Sequence, residues 1–116
     1  MTVFVYFTRD EFACKETGEN EIKDDFISRL DELRERCGFP FRITSGYRSP
    51  RHSIEAVKSR PGQHTTGRAA DIAVNGGEQR YILLREAFDM GFPGIGPAKD
   101  FVHVDERLSG ATSWVY

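Results

Sequence analysis

Residues Gln63–Val74 read QHTTGRAADIAV, and residues Phe101–Asp105 read FVHVD. Both stretches contain short runs in which core-type apolar side chains alternate with other side chains, which is typical of half-buried β-strands. Successive side chains of a strand point to opposite faces. Asp71 therefore lies on the face opposite the core in the first stretch, and His103 and Asp105 share such a face in the second. We predict two interior strands that each turn a polar face away from the core.

The other periodic segments predict helices and shorter strands around these two. Apolar residues recur at helical spacing in two segments of mixed charge, and Gly38 and Gly91 follow them as stop signals. A capping box at Thr8–Glu11 opens a further short helix near Phe12. In chain order, the predicted elements are a strand at Met1–Phe7, that short helix, a helix at Asp24–Arg36, a strand at Phe41–Ser45, a helical turn at Ile54–Lys58, a strand at Ala69–Val74, a helix at Glu78–Met90 and a strand at Phe101–Val104.

Helices and strands are interspersed, but the links between strands vary too much in length for regular βαβ units. We therefore predict an α+β fold in which a small antiparallel sheet has flanking helices, with residues 1–116 forming one domain. Gly94, Gly96 and Pro97 are expected in a loop. The buried face of the last helix is predicted to comprise Tyr81, Leu84, Ala87 and Phe88.

The composition excludes several classes of function. Sixteen Lys and Arg against eighteen Asp and Glu give a net charge of −2 over 116 residues, which argues against a nucleic-acid partner held by bulk positive charge. No apolar run approaches the roughly 18 residues of a membrane span, and no basic segment precedes the apolar start, so we expect no signal peptide. Cys14 and Cys37 are too few for a disulfide framework, and we expect two separate buried thiols.

Three polar residues of the chain could hold a metal ion. His64, Asp71 and His103 offer two imidazoles and one carboxylate, which with a water in the fourth position is a pattern of catalytic zinc sites. Such an ion lowers the pKa of bound water to about 7 and polarises a carbonyl oxygen. A histidine seven residues before an aspartate also arises by chance, so the spacing alone leaves a structural role for both histidines open.

Hydrolysis at such an ion also needs a proton carrier and a fixed cation. A carboxylate near the site takes the proton of the water and passes it to the leaving amine. Asp105 shares a strand face with His103, and Asp100 is a second candidate if the strand begins only after it. Arg48, in the segment Gly46–Pro50, could hold a substrate carboxylate or a developing oxyanion.

Three motifs, taken in order, resemble those of the zinc D-Ala-D-Ala carboxypeptidase family. They are Thr44–Pro50 (TSGYRSP), Gln63–Asp71 (QHTTGRAAD) and Phe101–Asp105 (FVHVD), followed by Trp114. The family pattern is SxHxxGxAxD with a second zinc histidine downstream. The family includes bacterial cell-wall peptidases, L-alanyl-D-glutamate peptidases and bacteriophage endolysins, and it shares its fold with the hedgehog signalling domain. The resemblance extends over nearly the whole chain and implies a hedgehog/DD-peptidase-like fold.

The resemblance also implies a role for each motif residue. The Zn²⁺ ligands would be His64, Asp71 and His103. Arg48 would be the arginine that holds the substrate or the transition state. The general base of the family is often an acidic residue three positions before the second zinc histidine, which is Asp100 here. In the branch most similar to this sequence an aspartate two positions after that histidine recurs, and strand parity places this residue, Asp105, beside the histidine, so we favour it.

Two departures from the family pattern concern specificity. The family's serine two positions before the first zinc histidine is Gly62 here. Relatives commonly carry Asn near His52–Ser53 and a pair of glycines in the following loop, whereas this chain has the more charged segment Ser53–Pro61. We expect the substrate preference, not the metal triad, to be affected. His52 has no family role to transfer and is expected to be a solvated loop histidine.

The expected function is hydrolysis of an amide bond in the peptidoglycan stem peptide, of the D-Ala-D-Ala carboxypeptidase or the L-Ala-D-Glu endopeptidase type, with zinc-activated water as nucleophile. The alternative is a zinc-binding but non-hydrolytic wall-binding, virion or interaction module of the same fold. A closed structural zinc site would need His52 or a cysteine as its fourth ligand. We expect a monomer that is made in the cytoplasm and acts on the bacterial cell wall, as a phage or accessory enzyme.

Overall fold

The computed structural model describes residues 3–116 of the chain. In this part, five short strands form one sheet: β1 (Ile43–Ser45), β2 (Ala69–Ala73), β3 (Gly94–Pro97), β4 (Phe101–Asp105) and β5 (Thr112–Ser113). Their order across the sheet is β1-β2-β4-β3-β5, and neighbouring strands are antiparallel except β3 and β5, which are parallel. The predicted α+β fold with a small, mainly antiparallel sheet is confirmed, while β5 is an addition that the sequence did not indicate.

Three α-helices accompany the sheet: α1 (Asp24–Cys37), α2 (Ser53–Ala56) and α3 (Gly76–Asp89). Two 3₁₀ turns, Arg9–Phe12 and Gln63–Thr66, complete the regular elements of the described residues. Gly38 ends α1 in the left-handed conformation, with φ of 75°, and its N–H donates to the Arg34 carbonyl at 3.1 Å. This geometry is that of a glycine C-cap, so the predicted end of α1 is confirmed to within one residue.

The hydrophobic core joins α1 and α3 to one face of the sheet. Its largest fully buried side chains include Phe26, Ile27, Leu30 and Leu33 of α1 and Ile72, Val102 and Val104 of the two central strands. Burying each such side chain stabilises the fold by about 1.5–3 kcal/mol. Because Ile72, Val102 and Val104 face the core, the side chains between them occupy the other face of β2 and β4, as the alternation predicted.

The predicted strand at Met1–Phe7 is wrong for residues 3–7, and Met1 and Thr2 lie outside the described residues. Residues 3–7 pair with no strand of the sheet. Instead the N–H groups of Val5 and Tyr6 donate to the Asp31 carboxylate of α1, at 2.8 and 3.0 Å. Phe7 alone is buried in the core, while Val5 is exposed. A helix side chain therefore satisfies backbone groups that a neighbouring strand would otherwise bind.

Two further predictions need correction. Gly94, Gly96 and Pro97 lie in strand β3, not in a loop. They pair with β4, whose Asp105 carboxylate leaves no room for a side chain at position 94. In α3 the buried side chains are Leu83 and Ala87, whereas Tyr81 and Phe88 are 66% and 57% exposed. Apolar residues occur on adjacent faces of this helix at the same spacing, so periodicity could not decide which face packs against β3, β4 and α1.

Cys14 and Cys37 are both free and buried, as predicted. Burial raises the pKa of Cys37 to about 12, so its thiol stays protonated near neutral pH. Among the described residues, no helix has the length and apolar character needed to cross a membrane.

Candidate metal centre

Side chains from the Gln63–Thr66 turn, β2 and β4 converge on one point of the sheet's polar face. One ligand atom each of His64, Asp71 and His103 lies within 4.8 Å of the other two. The Oδ1 atom of Asp71 is 3.4 Å from His64 Nε2 and 3.0 Å from His103 Nδ1. Asp71 and His103 are directly opposite each other in the β2–β4 register. The antiparallel pairing thus brings together two residues that are 32 positions apart in the chain.

His64 is held in place by two glycines. Its Nδ1–H donates to the Gly46 carbonyl at 2.8 Å, which leaves the lone pair of Nε2 facing Asp71. Gly67 then turns the chain from His64 into β2 with φ of 75°, and a Cβ on Gly67 would overlap the Glu21 carbonyl oxygen. Only glycine combines a left-handed conformation with this close approach at low cost. Steric exclusion therefore explains why a glycine, Gly67, lies between His64 and Asp71 in the motif.

His103 is held by a buried carboxylate on its own strand. Its Nε2–H donates to Asp105 Oδ2 at 2.6 Å, so Nδ1 faces Asp71. Asp105 is fully buried and also accepts from the backbone N–H and the guanidinium of Arg107, at 2.6 to 3.0 Å. A carboxylate behind a metal-ligating imidazole fixes its tautomer and its orientation.

The two glycines of β3 make room for this arrangement. Gly94 pairs with Asp105, and Gly96 pairs with His103. A Cβ on Gly94 would overlap the Asp105 carboxylate, and a Cβ on Gly96 would overlap the Trp114 indole. Gly94 and Gly96 therefore belong to a strand whose site-facing positions must lack side chains. Glycine inside a strand can mark such a close approach.

The carboxylates of the site ionise easily despite their burial. Burial raises the pKa of Asp71. In the absence of a metal ion, protons on the facing nitrogens of His103 and His64 donate to this carboxylate, and these hydrogen bonds outweigh burial and hold its pKa well below its usual range. Burial likewise raises the pKa of Asp105, and the hydrogen bonds from His103 and Arg107 lower it further than burial raises it. Both groups are anionic at neutral pH. In the absence of a metal ion, the two aspartates raise the pKa of His103 although burial lowers it.

The three side chains fit a zinc ion. Tetrahedral zinc with bonds of about 2.0–2.1 Å places its ligand atoms about 3.4 Å apart, and the two nitrogens lie at 3.4 and 3.0 Å from Asp71 Oδ1. Because His64 Nδ1 and His103 Nε2 donate elsewhere, the nitrogens that face Asp71 present lone pairs toward a carboxylate oxygen. A proton or a cation between these atoms relieves that repulsion. Zinc, a borderline-soft ion, accepts both imidazole nitrogens and carboxylate oxygens as ligands. His52 and the two cysteines belong to no such cluster among residues 3–116.

A cavity of about 400 Å³ opens over this cluster. The His64, Asp71 and His103 side chains form part of its lining. Trp114 covers His103, with ring centroids 5.2 Å apart, and the Arg107 guanidinium lies 4.6 Å from the Trp114 ring centre. Phe101 and Tyr116 extend this aromatic wall. The lining also includes the cations Arg48, Lys58 and Arg107 and the polar residue Gln63.

Arg48, which the sequence suggests as a cation for a substrate carboxylate or an oxyanion, lines the cavity. Its backbone N–H donates to the His64 carbonyl at 3.0 Å. Its guanidinium donates to Glu55 Oε2 at 2.9 Å and lies 3.4 Å from Ser45 Oγ. Glu55 is 5% exposed and was not among the predicted site residues. The available signal was its spacing of three residues from Lys58 in a predicted helical turn, which permits an ion pair.

The two candidate bases occupy different surroundings. Asp105 lies behind His103 and is not part of the cavity lining, and neither is Asp100. Asp100 is exposed and directly precedes β4, which begins at Phe101. His52 accepts from the Ile54 N–H at the start of α2, and its Nε2 lies 3.3 Å from Glu16. His52 thus caps a helical turn, and it does not join the histidines of the metal cluster.

Comparison with known proteins agrees with this geometry. The family described as Peptidase M15 matches residues 5–105, which include the three metal-cluster residues and Arg48. No curated protein matches the chain closely enough to be named as a relative. Since the family match covers 101 of the 116 residues, the chain belongs to the Peptidase M15 family.

Proposed function

We propose that this protein is a zinc-dependent peptidase that hydrolyses an amide bond in the stem peptide of bacterial peptidoglycan. The observation that carries the proposal is the convergence of His64, Asp71 and His103 within 4.8 Å in the lining of a cavity of about 400 Å³. Two imidazoles and one carboxylate leave the fourth position of a tetrahedral ion free for water or substrate, which distinguishes a catalytic from a structural zinc site. Membership of the Peptidase M15 family supports the same activity.

The chain's own residues would act in three ways. When bound, zinc would supply an acidified water and a Lewis acid toward the substrate carbonyl. His64, Asp71 and His103 would hold the ion, with Gly46 and Asp105 orienting the two rings through their distal nitrogens. Arg48 would bind a substrate carboxylate or the developing oxyanion, because a guanidinium offers several N–H donors in fixed directions.

We assign proton transfer to Asp100 and a positioning role to Asp105. Both oxygens of Asp105 already accept hydrogen bonds from His103 and Arg107, so this carboxylate has little capacity left to exchange protons with a substrate. Asp100 lies three positions before His103, where the family often carries its general base. Strand β4 begins at Phe101, directly after Asp100, which supports this role. Asp100 does not line the cavity, so in this role its exposed side chain would turn toward the substrate. It would then take a proton at a carboxylate oxygen and return it to the leaving amine.

The aromatic wall and the cations suggest how the peptide lies in the cavity. Trp114, Tyr116 and Phe101 offer apolar surface for the peptide's small side chains, while Arg48 and Lys58 attract its carboxylates. A D-alanyl terminus and an internal D-glutamate both carry a carboxylate near the scissile bond. Both bonds are therefore proposed substrates, and analysis of the products distinguishes between them.

The test is incubation of zinc-loaded protein with defined stem peptides, followed by mass spectrometry. We expect hydrolysis at one bond, with a new amine and a new carboxylate in the products. His64→Ala should lose both the bound zinc and the activity. Intact peptides after incubation with fully zinc-loaded wild type, at several pH values, would support a non-hydrolytic module instead.

A further inference from the structure

Glu55 places a buried carboxylate next to Arg48 and Lys58, two cations that line the cavity. Its side chain is 1% exposed, and it accepts three hydrogen bonds of 2.9 Å each. Oε2 accepts from Arg48 and from Lys58, and Oε1 accepts from the backbone N–H of Gly62. A buried carboxylate with this number of partners is costly to leave unpaired. Glu55 therefore fixes its three partners relative to one another.

The same carboxylate explains why the chain has glycine at position 62. A Cβ on Gly62 would lie 3.0 Å from Lys58 Nζ and 3.2 and 3.3 Å from the two oxygens of Glu55. These distances are tighter than ordinary van der Waals contacts, so any side chain at this position would press on the Glu55–Lys58 pair. The charged segment Ser53–Pro61 and the glycine at position 62 are thus linked, because both pack around the Glu55 carboxylate.

Glu55 also links the arginine to the metal cluster. Gly62 lies two residues before His64, and the Arg48 N–H donates to the His64 carbonyl. Arg48 is 17% exposed at its side chain, so it reaches the cavity while its guanidinium is held from behind. Of its hydrogen bonds within residues 3–116, this guanidinium would keep without Glu55 only the long contact with Ser45 at 3.4 Å.

We infer that Glu55 is a positioning residue for the peptidase reaction, which holds the Arg48 guanidinium in the orientation that binds the substrate carboxylate or oxyanion. The inference rests on the proposed function, in which Arg48 contacts the substrate. Glu55 contacts none of the three metal-cluster residues and does not line the cavity, so it acts through Arg48. Displacement of a catalytic group by about 1 Å can lower a rate about a hundredfold.

A double-mutant cycle tests this inference on zinc-loaded protein. Glu55→Gln removes the charge at nearly constant volume, and Arg48→Met removes the guanidinium but keeps an unbranched side chain. We expect Glu55→Gln to lower kcat/KM by about ten- to a hundredfold in the wild-type background and by less than about twofold in the Arg48→Met background. Bound zinc should stay at one per chain in all four proteins. A loss of equal size in both backgrounds would overturn the inference.

Side-chain NMR gives a readout that does not depend on activity. The Arg48 Nε–Hε signal, assigned by its absence in Arg48→Met, should have an order parameter above about 0.8 in the wild type and below about 0.6 in Glu55→Gln. Glu16→Gln is the matched control, because Glu16 binds Ser53 in the same segment but does not contact Arg48. The control should leave both kcat/KM and the Arg48 signal unchanged. An Arg48 side chain that stays equally ordered in Glu55→Gln contradicts the inference.

The inference can still be tested if the wild type is inactive or if Glu55→Gln does not fold. If the wild type cleaves no stem peptide, the proposed function fails, and the Arg48 order parameter alone decides whether Glu55 positions the arginine. If Glu55→Gln does not fold, Glu55→Asp takes its place, since it keeps the charge and withdraws the carboxylate by one methylene. Increased mobility of Arg48 in Glu55→Asp supports the inference, and unchanged mobility overturns it.

Discussion

Gly94→Ala tests the packing behind His103. The new methyl group would occupy the space of the Asp105 carboxylate, which is fully buried and cannot move into solvent. Overpacking of this kind costs about 1–3 kcal/mol, and weakening the charge-assisted hydrogen bonds of Asp105 adds to that cost. We expect a loss of about 3 kcal/mol in the free energy of unfolding, which for a domain of this size lowers Tm by on the order of 10 °C.

The same substitution should weaken the metal site. Displacing Asp105 releases the Nε2–H of His103, so the ring no longer has a fixed tautomer and orientation. Loss of such a partner behind a ligand typically costs about 10–100-fold in metal affinity. The affinity is measured by competition with a chromophoric chelator, and the stability is measured by thermal unfolding of the metal-free protein.

Gly77→Ala is the matched control for this substitution. Its methyl group would meet only the flexible end of Arg80, at 3.5 Å. Since Gly77 lies in the first turn of α3, alanine should stabilise the helix by up to about 1 kcal/mol and leave zinc affinity unchanged. If Gly94→Ala binds zinc as tightly and unfolds at the same temperature as the wild type, then the glycines of β3 do not have the role assigned to them.

Three other predictions follow from named contacts. Gly46→Ala would place a methyl group 2.7 Å from the Phe12 backbone, and unfolding experiments should show a loss of about 1–3 kcal/mol in the free energy of unfolding. Zinc affinity should also fall, because the Gly46 carbonyl accepts the hydrogen bond that orients His64. Burial raises the pKa of Glu55, but the hydrogen bonds from Lys58, Gly62 and Arg48 outweigh it and lower that pKa from 4.5 to about 2. The ionised Glu55 therefore stabilises the fold fully above pH 4.5, and this stabilisation is lost as the pH falls toward 2. Denaturant unfolding should show that wild type loses about 2 kcal/mol more than Glu55→Gln between pH 5 and pH 3, and parallel pH profiles would contradict this. Asp105→Asn should lower zinc affinity by about 10–100-fold, whereas Asp100→Asn should keep its zinc and lose about 10²–10⁴ in kcat; the reverse pattern would exchange the two roles.

Local patterns in the sequence were sufficient for the two strands that carry Asp71 and His103, but not for the 3₁₀ turn that carries His64. Alternation in β2 and β4 predicted that Asp71 and His103 turn away from the core, and helical spacing with Gly38 predicted α1. These patterns succeed because each element buries only one face. The apolar residues identify that face, so the polar residues between them must lie on the other. The motif then indicated which polar side chains meet.

Features that depend on distant partners could not be read from local patterns. Gly94 and Gly96 indicate a loop by composition, and only the Asp105 carboxylate and the Trp114 ring across from them explain why they lie in a strand. Tyr81 and Phe88 have helical spacing as regular as that of the buried Leu83, so the choice of face depends on tertiary packing. Glu55 could not be identified for the same reason. A charged residue in a surface-like segment indicates a role at the site only once Arg48 is known to lie beside it.

The most direct test of the account is the zinc coordination of the wild-type protein. X-ray absorption of protein loaded with one equivalent of zinc should report two imidazole nitrogens and one or two oxygens at about 2.0–2.2 Å. A crystal structure of the same sample should place the ion between His64 Nε2, Asp71 Oδ1 and His103 Nδ1, with its remaining position open to the cavity. Zinc that binds elsewhere, or that is closed off by a fourth protein ligand, would contradict a catalytic zinc site at these three residues.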